Sequence, residues 1–140
     1  MMKFYSVLVG VFILAIAGLI YWDYSIHTME GSSNDGTWKV LFQEQGPGSL
    51  EGGWMLSVKQ KSKEELTVKN VTFLEGEEVI VDVTEFSDGE DVYGTAHTLH
   101  PFFYPNLYFG DPPKKYVSCQ VQIIWENADG EEQREAITLQ

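Results

Sequence analysis

Cysteine occurs once in 140 residues, as Cys119. That excludes an intrachain disulfide and any metal site built from cysteines alone. Cations are scarce as well: nine Lys and Arg stand against 21 Asp and Glu, a formal net charge of −12. A chain this acidic lacks the clustered positive charge that a phosphate backbone requires, so nucleic acid is not an expected partner. Catalytic signatures are also missing. There is no Gly-x-Ser-x-Gly elbow, phosphate-binding glycine loop, His-Glu-x-x-His or Cys-x-x-Cys, and nothing implies a cofactor. What the chain does have is 44% apolar and 14% aromatic residues, enough for one packed core and too much for a disordered chain.

The N-terminus carries the one long apolar run. No charge falls between Lys3 and Asp23. The stretch 4–22, about 19 residues at ~1.5 Å each, spans roughly 28 Å as a helix, against about 30 Å of hydrocarbon in a bilayer. Tyr21, Trp22 and Tyr24 at its end suit the headgroup layer. Lys3 flanks one side and Asp23 and Glu30 the other, so the positive-inside rule places residues 1–3 in the cytoplasm and the rest of the chain outside. Ala15-Ile16-Ala17 has the spacing of a signal-peptide cleavage site, which keeps cleavage after Ala17 open as a second reading. The anchor is preferred because the apolar run continues past it to Trp22. Either way the chain is a single-pass or secreted product with its domain outside the membrane.

Residues 23–36, polar and rich in Gly, Ser and Asn, read as a flexible spacer. From there on, period-two patterns dominate. Trp38, Val40 and Phe42, then Trp54, Leu56 and Val58, then Val79, Val81 and Val83, and finally Val117 to Trp125 alternate with more polar neighbours. The parity shift from Leu66 and Val68 to Val71 and Phe73 predicts a β-bulge near Lys69-Asn70. Asn127-Ala128-Asp129-Gly130 predicts a hairpin leading to Ile137 and Leu139. The fold expected is an all-β antiparallel immunoglobulin-like sandwich of about seven strands over residues 37–140, preceded by one transmembrane helix. Cys119, Trp38, Trp54 and Trp125 fall on its inward parity.

Chemistry-bearing residues are few. His97 and His100, three apart in a β context, point to opposite faces and do not form a metal pair. Asp88, Glu90 and Asp91 gather oxygen ligands as calcium sites do, yet they lack EF-hand spacing and also suit a turn. They are weak metal candidates. The most unusual stretch is 100–113. It holds Phe102, Phe103, Tyr104, Tyr108 and Phe109 together with Pro101, Pro105, Pro112 and Pro113. Proline blocks central strand pairing, so the stretch reads as a rigid loop or edge, and its five aromatics as a binding patch or a lid over the sandwich.

The order Trp38-Lys39-Val40, Gly53-Trp54, Ile124-Trp125 and Glu135 to Leu139 resembles uncharacterised membrane-anchored or lipoprotein β-sandwich proteins of Gram-positive bacteria. That resemblance implies a cell type and no activity. The expected function is a non-catalytic binding module at the cell envelope, contacting a protein or envelope component through residues 101–109. A calcium- or ligand-responsive sensor and an envelope hydrolase with an unmarked site are the alternatives.

Overall fold

The structure, a computed structural model, describes residues 2–25, 28–45, 53–91 and 94–140, with the side chains of the helix described over residues 6–17. Helix α1 (Met2–Ser25) precedes strands β1 (Thr28–Ser32), β2 (Trp38–Glu44), β3 (Trp54–Gln60), β4 (Thr67–Glu75), β5 (Glu78–Val83), β6 (Gly89–Glu90), β7 (Ala96–Leu99), β8 (Phe102–Gly110), β9 (Cys119–Glu126) and β10 (Glu132–Thr138). Every residue from 6 to 17 is exposed. Among the described residues, no helix is long and apolar enough to cross a membrane.

The strands make two antiparallel sheets, β1-β2-β3-β8-β7-β6 and β10-β9-β4-β5. Alternation produces them directly. Trp38, Val40 and Phe42 of β2 and Trp54, Leu56 and Val58 of β3 point inward, and so do Val71 and Phe73 of β4 and Val121, Ile123 and Trp125 of β9; all are buried. Aromatic rings tie the two layers together. Phe42 meets Phe73 at 5.2 Å, and Trp38 meets Trp125 edge-to-face at 5.4 Å. Fully burying a side chain of the Phe42 type contributes about 1.5–3 kcal/mol, which makes this aromatic seam a main source of stability. Among the described residues the Trp38 Nε1–H has no hydrogen-bond partner, and the ring is held by packing, with Phe102 and Trp125 edge-on to it.

Two local expectations hold in detail. The β4–β9 ladder shifts register between Val68 and Asn70, leaving Lys69 as the extra residue of a bulge. The β9–β10 hairpin closes through Asn127, whose Oδ1 accepts the Asp129 and Glu131 amides at 3.1 and 2.9 Å, with Gly130 at φ +80°.

Three expectations need correction. There are ten strands among the described residues rather than about seven, because β1, β6, β7 and β8 were not visible as alternations. Residues 28–36 are strand and turn, not spacer. β1 pairs with β2 and joins the C-terminus through reciprocal bonds, Glu30 N–H to Gln140 O (3.0 Å) and Gln140 N–H to Glu30 O (2.9 Å). The turn that follows is ordered by Asp35. Its carboxylate accepts the Thr37 amide and the Ser33 hydroxyl, and those bonds hold its pKa below the ordinary aspartate value. Finally, the aromatic stretch is an interior strand, with β3 on one side and β7 on the other. Pro105 is tolerated because the register shifts there: Leu56 faces Tyr108 and Val58 faces Tyr104, so 105–107 lie opposite Ser57 alone.

Strand direction sets the ends of the domain. The first strand begins at Thr28, which lies level with Gln43, near the start of β3 and the end of β8. The turn at His100–Pro101, the 61–66 loop and the β9–β10 hairpin all gather at the opposite end.

Candidate functional site

The five aromatics of β8 separate into two groups. Phe102 and Tyr104 are buried, with 1% and 8% of their surface exposed. Their rings stack at 5.1 Å and both take the edge of Phe86 at 5.2 Å. The Tyr104 hydroxyl accepts the Ser87 amide (2.6 Å) and donates to the Ser87 carbonyl (2.9 Å), fixing the 84–88 segment against the sheet. Tyr108 turns inward onto Phe42 and Phe73. These three are core residues, which corrects the expectation that all five form a contact patch. Strand alternation is the reason, since residues of one parity on β8 must face the second sheet.

Phe103 and Phe109 are the two that face outward. Phe109 is 41% exposed and lies beside Met55 in the β3–β8 ladder. Phe103 lies opposite Lys59, whose Nζ sits 5.7 Å from the ring centroid. On the same face are half-buried Leu41 and Met55 and two lysines, Lys39 and Lys59. The outer face of the six-stranded sheet therefore mixes these apolar side chains with Gln43 and Ser57, and of its two lysines Lys39 pairs with Glu30 of β1 at 3.8 Å while Lys59 lies over Phe103.

Two of the three weak metal candidates, Asp88 and Asp91, hold backbone and side-chain amides instead. Asp88 Oδ1 accepts the Leu99 amide at 2.6 Å. Asp91 Oδ1 accepts the Thr95 amide at 2.9 Å, and its second oxygen accepts the Asn106 side-chain amide. Glu90 is exposed on β6. No group of three or more His, Cys, Asp or Glu is placed to hold a metal among the described residues. His97 lies against Tyr104 at 4.3 Å and donates from Nε2 to Asn106 Oδ1 at 2.5 Å, whereas His100 is exposed in the β7–β8 turn.

One structural residue escaped the sequence reading. Gln60 is 4% exposed at the far end of the domain. Its Nε2 donates to Ser62 O (3.1 Å) and Glu64 O (2.7 Å), and its Oε1 accepts the Phe102 amide (3.0 Å). One buried amide thus ties the 61–66 loop to the start of β8. Beside it three open depressions of about 290, 470 and 80 Å³ share His100 as a common wall. The signal in the sequence was its parity, since Gln60 continues the inward series of Trp54, Leu56 and Val58.

Cys119 is fully buried, and burial, then the charge of Glu75, pushes its thiol pKa up. A neutral, inaccessible thiol is neither nucleophile nor metal ligand. Compared with known proteins, the chain matches no family model, no curated relative and no solved structure.

Proposed function

We propose that this protein is a membrane-tethered, non-catalytic binding module of the cell envelope. The observation that carries the tether is α1. Its residues 6–17 are apolar or small apart from Ser6, occupy three full turns and are exposed on every face, Val11 at 62% and Leu14 at 74%. A helix apolar all round needs an apolar environment, and the domain behind it supplies none. The uncharged run 4–22 supports a span of roughly 28 Å. The Lys3 and Asp23 flanks favour a cytoplasmic N-terminus and an outer domain. The kinship with immunoglobulin-like sandwiches is one of architecture, two antiparallel sheets packed face to face; the strand order is this chain's own. Only two residues separate α1 from β1, which keeps the domain close to the bilayer. Full-length protein is expected to float with phosphatidylcholine vesicles and the double variant Val11→Arg, Leu14→Arg to stay in the soluble fraction, since each central arginine opposes insertion by about 2.5–3.5 kcal/mol. Equal flotation of both would remove the tether.

Its contact surface in this reading is the outward half of β8, Phe103 and Phe109 with Met55. Lys59 beside Phe103 suits a partner whose own apolar patch carries an acidic group.

A further inference from the structure

Sheet edges are where strand proteins guard against unwanted pairing. Here there are four. Of three of them, β6 has only two residues, β1 exchanges backbone bonds with Gln140 just beyond β10, and β10 accepts the Asn34 amide on Glu135 Oε1 (2.9 Å) and carries Arg134 among mostly polar residues. β5 is different. It ends the four-stranded sheet with six residues, Glu78–Val83, paired to β4 on one side only. Among the described residues, none of the backbone hydrogen bonds outside the β4 ladder involves residues 79–82. The strand is Val79-Ile80-Val81 at its centre, with Val79 54% exposed and Ile80 and Val81 packed at the margin of the core. Its surroundings are acidic: Glu75, Glu77, Glu78, Asp82 and Glu85 lie on it or next to it in sequence. Lys114 reaches Glu75 and Glu78 at 3.6 and 3.7 Å, and Asp82 accepts the Asn70 and Thr72 side chains.

We propose that the β5 edge is a docking strand for an extended, lysine- or arginine-bearing segment of a partner protein, which adds to the sheet next to β5. The backbone row supplies hydrogen bonds, as in other strand-addition complexes, and the acidic frame selects the sign of the incoming side chains. A second copy of this chain does not meet that requirement, because β5 against β5 would set Glu78 and Asp82 of both copies along one ladder, and like charges across a strand pair are unfavourable. The bulge between Phe73 and Leu74, which leaves Ile80 unmatched, twists the edge and discourages indiscriminate pairing.

The test uses the full chain in detergent micelles and three fluorescent octapeptides: lysine alternating with valine, lysine alternating with proline, and glutamate alternating with valine. The lysine–valine peptide is expected to bind saturably, more weakly as salt rises, and about tenfold more weakly to Val79→Lys, which places an edge-blocking charge on the strand. The lysine–proline peptide has equal charge but lacks the amides a ladder needs. Binding of lysine–proline as tight as lysine–valine, binding of the glutamate peptide, or unchanged affinity in Val79→Lys would each overturn the proposal. So would concentration-dependent dimerisation of the chain that Val79→Lys abolishes, which would make the second copy the occupant.

Discussion

Valine in place of Gly31 is expected to lower stability by about 2–3 kcal/mol, roughly 10 °C in melting temperature for a domain of this size. A Cβ at this position would lie 2.6 Å from Ile137 Cγ2, 2.7 Å from the Thr138 carbonyl oxygen and 3.2 Å from Leu139 Cδ2. Ile137 and Leu139 are buried, and the Thr138 oxygen is backbone, so none of the three can swing aside as a flexible side chain would. β1 must move off the C-terminal strand, which breaks the paired Glu30–Gln140 bonds that close this side of the sandwich. Gly31→Ala should show the same effect at smaller size. Thermal unfolding followed by tryptophan fluorescence measures both, and an unchanged melting temperature for the valine variant would contradict the closure.

Gln60→Ala should be at least as damaging, about 3 kcal/mol. It leaves the buried Phe102 amide without its acceptor, at a cost of roughly 1–3 kcal/mol, and removes the donor that holds the Ser62 and Glu64 carbonyls of the loop. Phe102 is itself buried, so water does not readily replace the lost acceptor. Gln60→Glu retains the acceptor but turns a donor into a carboxylate facing two carbonyls, and burying that charge is expected to make it worse than alanine. Urea titration of the three proteins orders them as native, then alanine, then glutamate. Alanine equal to native would mean that the buried amide does not hold the loop.

The difference between these two residues and the core shows what could be read in advance. β2, β3 and β9 announce themselves because each buries one full face, and the residues that do so recur at every second position. The bulge at Lys69 was readable as a break in that recurrence, and the hairpin at Asn127 from turn chemistry. β1 was not readable. Thr28-Met29-Glu30-Gly31-Ser32 has no apolar alternation, and it becomes a strand only because β2 and the distant Gln140 offer it partners. β8 was misread for a related reason. Pro105 signals a broken ladder, and the ladder does break, but a bulge absorbs it inside the sheet, which no local rule reveals. Register then decides which aromatics are buried. Phe102, Tyr104 and Tyr108 go to the core and leave Phe103 and Phe109 outside, a division that composition alone could not make.

The most direct measurement is photocrosslinking of the intact protein in its native membrane, beside the variant Phe103→Ser, Phe109→Ser. Both side chains face away from the second sheet, so the variant is expected to keep its melting temperature within a few degrees, as outward substitutions usually do. A defined crosslinked partner is expected with the native chain, and its loss with the variant. A partner captured equally by both, or none captured by either while both are folded in the membrane, would contradict a binding module that works through the outer face of β8.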